Sequence, residues 1–420
     1  MTVETVELVE GDLVELTVGA PAHGGHCVAR LGGEHGRVVF VRHALPGEKV
    51  TAEITELHKS WVRADAITVH EASADRVEPP CPWSGPGKCG GCDLQHVAPA
   101  AQLGWKTEVV HNLLARMAGL SEIEIKDLGV RVEPLPGGPL GWRSRVRYAV
   151  DAADRPGLLK HRSHEVVPVD RCRIAHPGIQ ALDITTRTWP EASSIETVAS
   201  TGGDVVVIPR ATVGSAGDLL DEVNSAPEAG SVEVRELAAG REWHVPADGF
   251  WQIHPSAADT LVGAVLELLD PQPGETSWDL YGGAGLFAAA LNARTGARTT
   301  VVESSPIGVV AARRNLADLV GTEVIAAKVE IALARRRPAG PVDLIVLDPP
   351  RTGAGAKVVR AMVDASPRAI AYVACDPAAL ARDLKTFAGL GWKVVQLRAY
   401  DCFPMTQHVE CVALLTPVTS

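Results

Sequence analysis

Residues 276–303 read TSWDLYGGAGLFAAALNARTGARTTVVE, and their pattern decides the architecture of the C-terminal part of the chain. A short apolar run ends in Asp279-Leu280-Tyr281. A turn containing Gly282, Gly283 and Gly285 follows, and an apolar helix starts at once. A second apolar run closes on Glu303, 24 residues after Asp279. This is a strand–turn–helix–strand unit whose glycines let the backbone approach a ligand at a helix N-terminus. An acid at the end of the second strand suits a ribose diol. Both a dinucleotide and S-adenosylmethionine carry one, so this stretch alone leaves the two open.

Toward the C-terminus, strands and amphipathic helices keep alternating. The strands are EVIAAK (323–328), VDLIVLDPP (342–350), AIAYVACDP (369–377), KVVQLRAYD (393–401) and HVECVALLTP (408–417). Helices are PIGVVAARRNLADL (306–319), AKVVRAMVDA (356–365) and AALARDLKTFAG (378–389). The pattern predicts a doubly wound α/β sheet over residues 246–420. The last two strands lack an intervening helix, so one is expected to run antiparallel at the sheet edge. The fourth strand ends in Asp348-Pro349-Pro350-Arg351, which resembles the substrate-facing turn of class I methyltransferases. That turn favours S-adenosylmethionine over a dinucleotide. Glu330 follows the third strand, where such enzymes often set an acid or amide against the adenine.

Two more residues stand out. Cys375 ends the fifth strand and precedes a helix, and a helix N-terminus lowers a thiol pKa. Glu410 interrupts an apolar strand 35 residues later. Taken singly, a strand cysteine is usually a packing residue, and an edge-strand carboxylate usually faces water. Together they meet the needs of methylation at C5 of uracil. That carbon is a poor nucleophile until a thiolate adds to C6. A base must later remove the C5 proton so that the thiolate can leave.

The stretches FWQIH (250–254), DLYGGAG (279–285), LDPPRTGAG (347–355), YVACDPAALARD (372–383) and DCFPMTQHVE (401–410) closely resemble the RNA 5-methyluridine methyltransferase family, in the family's order. Its members act on 23S ribosomal RNA or on the tRNA T-loop. The resemblance implies that Cys375 is the nucleophile and Glu410 the base. It also implies that Gln252, Tyr281, Glu303 and Asp348 line the cofactor and uracil site. Arg351 stands where the related cytosine enzymes carry a cysteine, so uridine fits better. His254 departs from the family's Asn, and Leu286 stands where some members have a polar residue. Both departures bear on fine substrate contacts.

Upstream, residues 1–75 show short strands and Gly-containing turns, such as LVELTVG (13–19) and WVRADAITV (61–69). They predict a small OB-like β-barrel. HGGHCVAR (23–30) and LPGEKVTAEI (45–54) resemble the TRAM module of RNA-modifying enzymes. Residues 76–245 are expected to form a central α+β domain. Cys81, Cys89 and Cys92 make a C-x7-C-x2-C array, with Cys172 lying 80 residues beyond. Four thiolates suit either [4Fe–4S] or tetrahedral zinc, and spacing does not choose. The C…CGGC…C resemblance implies [4Fe–4S], with zinc the alternative. Cys27, Cys402 and Cys411 are read as packing residues.

The net charge is −11 and the pI about 5.7, which taken alone speaks against a nucleic-acid partner. Residues 141–173 nevertheless hold eight Arg or Lys against four Asp or Glu. Arg143, Arg145 and Arg147 alternate, so on a strand they would share one face and suit a phosphate-tracking ridge. No apolar run reaches the ~18 residues that span a bilayer. The acidic start MTVETVELVEGD is not a secretory signal. The expectation is a cytosolic, monomeric three-domain RNA methyltransferase, acting on 23S rRNA before tRNA. A cytosine or small-molecule methyltransferase, or an RNA-binding factor with a degenerate methyltransferase fold, are the alternatives.

Overall fold

A computed structural model describes residues 8–33, 35–211 and 227–418. The acidic residues 1–7 and part of the expected central domain, residues 212–226, lie outside that description. The N-terminal unit has six strands: β1 (Leu13–Thr17), β2 (Pro21–Ala22), β3 (His26–Leu31), β4 (Arg37–Arg42), β5 (Lys49–Leu57) and β6 (Trp61–Glu71). Their order is β1-β5-β6-β4-β3-β2. Exposed and buried residues alternate along β1, the signature of a half-buried strand. Past β1, the Gly19 N–H donates to Val28 O at 2.7 Å and the Val28 N–H to Ala20 O at 2.9 Å. The chain therefore bends from β1 into β2 to reach β3 and closes the sheet on itself. Val39, Val41, Val50, Val62 and Cys27 fill the interior.

The middle of the chain divides between two bodies. α1 (Pro99–Leu113), α2 (Glu122–Leu128) and β7 (Val132–Pro134) leave the expected central domain and pack with the C-terminal layers. What remains is an antiparallel sheet of β8 (Arg145–Val150), β9 (Pro156–Leu159), β10 (Val166–Val167), β11 (Ala192–Ala199) and β12 (Val205–Ala211), with a short helix α3 (Pro177–Gln180). Its order is β10-β9-β8-β11-β12. A hairpin, β13 (Glu233–Ala238) and β14 (Arg241–Pro246), leads to helix α4 (Ala257–Leu269).

The C-terminal body is built from β15 (Ser277–Leu280), α5 (Leu286–Thr295), β16 (Thr299–Glu303), α6 (Pro306–Asn315), β17 (Thr322–Ala326), α7 (Val329–Ala334), β18 (Leu344–Leu347), α8 (Gly355–Asp364), β19 (Ala369–Ala374), α9 (Pro377–Ala388), β20 (Trp392–Asp401) and β21 (Glu410–Pro417). The sheet order is β17-β16-β15-β18-β19-β21-β20-β7. β15, β18 and β19 are buried along their whole length, as strands covered by helices on both faces must be.

The antiparallel strand corrects the sequence expectation. β21 is not at the edge but lies between β19 and β20, antiparallel to both. The reason is its composition: ECVALL is apolar on both faces, and only an interior position buries both. The edge beyond β20 is covered by β7, a parallel three-residue strand from the middle of the chain. Among the described residues, no helix is long and apolar enough to cross a membrane.

Candidate active site

The parallel strands deliver their last residues to one side of the sheet. Glu303 closes β16, while Asp348 and Cys375 follow β18 and β19 directly. β21 runs the other way, so its first residue, Glu410, arrives at the same end. Its next residue, Cys411, pairs with Ala374, the residue before Cys375. One cavity of about 760 Å³ opens there. Gln252, Tyr281, Glu303, Glu330, Asp348, Cys375 and Glu410, the seven residues singled out from the sequence, all line it. Leu286 and Arg351 share the wall.

The cofactor half of the cavity is built by backbone. A Cβ on Gly282 would lie 2.6 Å from Val301 Cγ1 and 3.0 Å from Asp279 Oδ2, so the turn tolerates no side chain there. Asp279 stands behind the turn and accepts the Ala288 N–H of α5 at 2.9 Å. Burial raises its pKa to about 8. Glu303 accepts the Gly283 N–H at 2.9 Å and the Ser304 and Ser305 N–H groups at 2.6 Å each. These bonds fix the carboxylate beside the turn: Oε1 accepts both serine N–H groups, while Oε2 accepts Gly283 alone and keeps a lone pair for a ligand hydroxyl. Glu330 lies in the first turn of α7, exposed at the rim.

The chemical half is electrostatically unusual. Burial and the neighbouring Asp348 push Glu410 well above the usual carboxylate range, and Arg351 opposes them. Burial also raises Asp348 to about 7. Two enclosed carboxyls this close do not both ionise readily, so they titrate as a pair. Glu410 therefore does not face solvent, and its position inside an apolar strand is explained by the cavity. Cys375 corrects another expectation. Its thiol is pushed up, to about 12, by burial and by Glu410, Asp348 and Asp376, with Arg351 opposing. The helix N-terminus does not prevail because Asp376 already caps it, accepting the Ala379 N–H at 2.7 Å.

Some residues were not found from the sequence. Phe403 and His408 line the same wall. Asp383 accepts the Tyr372 hydroxyl at 2.7 Å and the Ala354 N–H at 2.8 Å, bracing the loop after the D-P-P turn. Its signal was a buried acid on the apolar face of α9. His254 does not line the cavity: its Nδ1 accepts the Ser256 N–H at 3.1 Å, and its ring stacks on Trp142. The departure from Asn at that position is thus taken up in a turn before α4.

The basic ridge also needs correction. Arg145 is turned inward, donating to Ala247 O at 2.8 Å and Gly249 O at 2.9 Å and pairing with Glu236. It braces the segment leading to Gln252. Arg147 is exposed but pairs with Glu196. Arg143 joins a second cavity of about 360 Å³, lined by Cys81, Cys89, Cys92 and Cys172. Arg147, Lys160, Arg162, Arg171 and Arg173 line it too, and no carboxylate does. Among the described residues, no three His, Cys, Asp or Glu side chains converge on one ion-sized point. The cysteines stand around the cavity instead. Cys27, Cys402 and Cys411 are buried, as packing residues are.

A doubly wound sheet with a Gly-rich turn, an acid closing the second strand and a D-P-P turn over one deep cavity defines a class I S-adenosylmethionine-dependent methyltransferase. The comparisons narrow the class. Residues 7–67 match the TRAM domain, and residues 340–418 match the tRNA (Uracil-5-)-methyltransferase family. An uncharacterized RNA methyltransferase of Streptomyces avermitilis is 48% identical over 97% of this chain and 99% of its own. The 23S rRNA (uracil(1939)-C(5))-methyltransferase RlmD of Thiobacillus denitrificans is 31% identical over 93% of this chain and 97% of its own. The tRNA (uracil-54, C5)-methyltransferase of Pyrococcus abyssi, solved with S-adenosyl-L-homocysteine, shares the fold. It matches with a TM-score of 0.71 at 22% identity, over 96% of this chain and 100% of that one. The chain belongs to the RNA (uracil-C5-)-methyltransferase family, with an N-terminal TRAM domain.

Proposed function

We propose that the chain methylates C5 of a uridine in 23S rRNA through a covalent Cys375–C6 adduct. The observation that carries this reading is the meeting of Cys375, Glu410 and Asp348 at one end of the cofactor cavity. Gln252, Tyr281, Glu303 and Glu330 would hold S-adenosylmethionine, which supplies the methyl group when bound. Cys375 Sγ, on losing its proton, adds to C6 and moves the electron pair toward C5. Once C5 carries the methyl group, the Glu410 carboxylate takes the C5 proton and the C6–S bond breaks. A base whose pKa is raised by burial is better matched to a weak carbon acid. The uridine must leave its stack to reach this depth. The ribosomal target rests on the full-length likeness to the 23S rRNA enzyme and on the N-terminal barrel.

The test uses RNA carrying 5-fluorouridine, whose C5 fluorine no base can remove. With S-adenosylmethionine it should leave a stable protein–RNA complex, and the cross-linked peptide should contain Cys375. A cross-link elsewhere, or none, overturns the mechanism. Mapping 5-methyluridine with and without the gene should reveal a loss in 23S rRNA. A loss confined to the tRNA T-loop would move the target.

Cys81, Cys89, Cys92 and Cys172 would hold a [4Fe–4S] cluster. A zinc ion needs all four sulfurs within about 2.3 Å of one point, whereas a cubane takes each thiolate on a different iron. The four cysteines line one cavity, and their C…CGGC…C pattern resembles the family's cluster site, which favours the second. A cluster with four thiolates is dianionic, and the Arg and Lys side chains of the wall offset that charge. Its role would be to pin the Cys-rich loop. Protein purified without air should be brown, with about four irons and four sulfides per chain, and Cys89→Ser should lose both. Colourless protein holding one zinc would reject the cluster.

A further inference from the structure

The residues next to the cavity's chemical end are met by a segment that sequence places far away. The β2–β3 turn of the barrel, His23-Gly24-Gly25, reaches the C-terminal body at two points and the Cys-rich loop at a third. His23 Nε2 lies 3.3 Å from Asp376 Oδ2, and Asp376 follows Cys375 directly. The Gly24 N–H donates to Gln407 Oε1 at 3.2 Å, in the loop that carries His408 and leads to Glu410. Gly25 sits flush on Asp93, where a Cβ would come within 2.8 Å of the Asp93 side chain. Asp93 in turn accepts the Gln407 N–H at 3.1 Å. This turn could have been a free RNA-binding tip, yet its polar groups are spent on the residues that flank the nucleophile and the base.

We infer that the barrel turn is part of the catalytic centre and that His23 is a positioning residue, holding Asp376 so that it caps α9 and orients Cys375. The inference rests on Cys375 being the nucleophile. Its physical logic has two parts. The contact fixes the Asp376 rotamer, and with it the first turn of α9 behind the thiol. When the imidazole carries its proton, it also offsets the Asp376 charge, which otherwise disfavours a thiolate at the next residue. The charged and titratable groups facing Cys375 are Glu410, Asp348, Arg351, Asp376 and Cys411. Those facing Asp376 are His23 and Arg382, with His408 across the gap.

The experiment uses the full chain with His23→Ala and His23→Gln, and reads two quantities. One is kcat and KM for methyl transfer to RNA. The other is the rate at which iodoacetamide alkylates Cys375 as pH is raised, followed by mass spectrometry of the Cys375 peptide. His23→Ala should lower kcat at least five-fold at neutral pH with KM for RNA changed less than two-fold. Its alkylation curve should shift to higher pH. His23→Gln, which can still donate to Asp376, should recover part of kcat. In an Asp376→Asn background, His23→Ala should add no further loss. Wild-type kcat and an unmoved alkylation curve in His23→Ala would overturn the inference, as would a loss seen in KM alone. If Cys375→Ala still transfers methyl groups, the nucleophile assignment falls and takes this inference with it. If Cys375→Ala is inert while His23→Ala matches wild type, only the barrel's role is rejected.

Discussion

Cys375→Ala is expected to reduce methyl transfer from labelled S-adenosylmethionine to RNA by about 10⁴-fold or more, the scale of losing a covalent nucleophile. No other thiol can substitute: among the cavity's lining residues Cys375 is the only cysteine, and Cys402 and Cys411 are buried outside it. Glu410→Gln should behave differently. It leaves the addition step intact but removes the acceptor of the C5 proton, so turnover should fall by about 10²–10⁴-fold while a methylated Cys375–RNA adduct accumulates. Gel shifts under denaturing conditions read that adduct directly. A Glu410→Gln protein that turns over normally, or a Cys375→Ala protein that still methylates, would dismantle the assignment of these two roles. The resting thiol also predicts slow chemistry in the free enzyme. With its pKa raised to about 12, Cys375 should be alkylated far more slowly at neutral pH than free cysteine, and faster as pH rises.

The largest stability effect is expected at Lys106. Its ammonium is fully buried on α1, donating to Asp401 Oδ1 at 2.5 Å and to Phe403 O at 3.2 Å. Lys106→Met keeps the volume but leaves the Asp401 carboxylate enclosed without its cation. Breaking one side of a buried pair costs about 3–5 kcal/mol, so the urea midpoint should drop sharply. Activity should fall as well, because Asp401 and Phe403 open the loop that ends at Glu410. That loop is gripped again at Met405, whose N–H donates to Gln102 Oε1 at 3.1 Å and whose carbonyl accepts the Asp93 and Leu94 N–H groups. Lys106→Met combined with Asp401→Asn should recover part of the lost stability, since no unpaired charge then remains. A double variant as unstable as the single one would mean that packing, not charge, dominates at this site.

The site was unusually legible. Strands carry their functional residues at their carboxyl ends, so Glu303, Asp348 and Cys375 could be placed side by side from periodicity alone. Glu410 was legible because a carboxylate interrupting an apolar strand needs a reason, and pairing it with Cys375 supplied one. Less legible were groups whose meaning depends on a partner far along the chain. Lys106 looked like any helix cation until Asp401, 295 residues away, was seen to bury it. Arg145 looked like part of a basic face, and the fold turned it inward onto the 247–249 carbonyls.

The sequence by itself determined the class of sheet, its Gly-rich turn, and seven of the residues around the cavity. These are local properties: apolar period, glycine content and the residue closing each strand. Only the tertiary structure decided where β21 lies, how acidic Cys375 is and what meets its neighbour Asp376. Strand order follows from burying both apolar faces of ECVALL, a global packing condition. The thiol's acidity follows first from burial, then from Glu410 and Asp348, which arrive from other strands, and from Asp376 beside it, with Arg351 opposing. The barrel turn meets Asp376 across 353 residues of chain, a contact that no periodicity encodes.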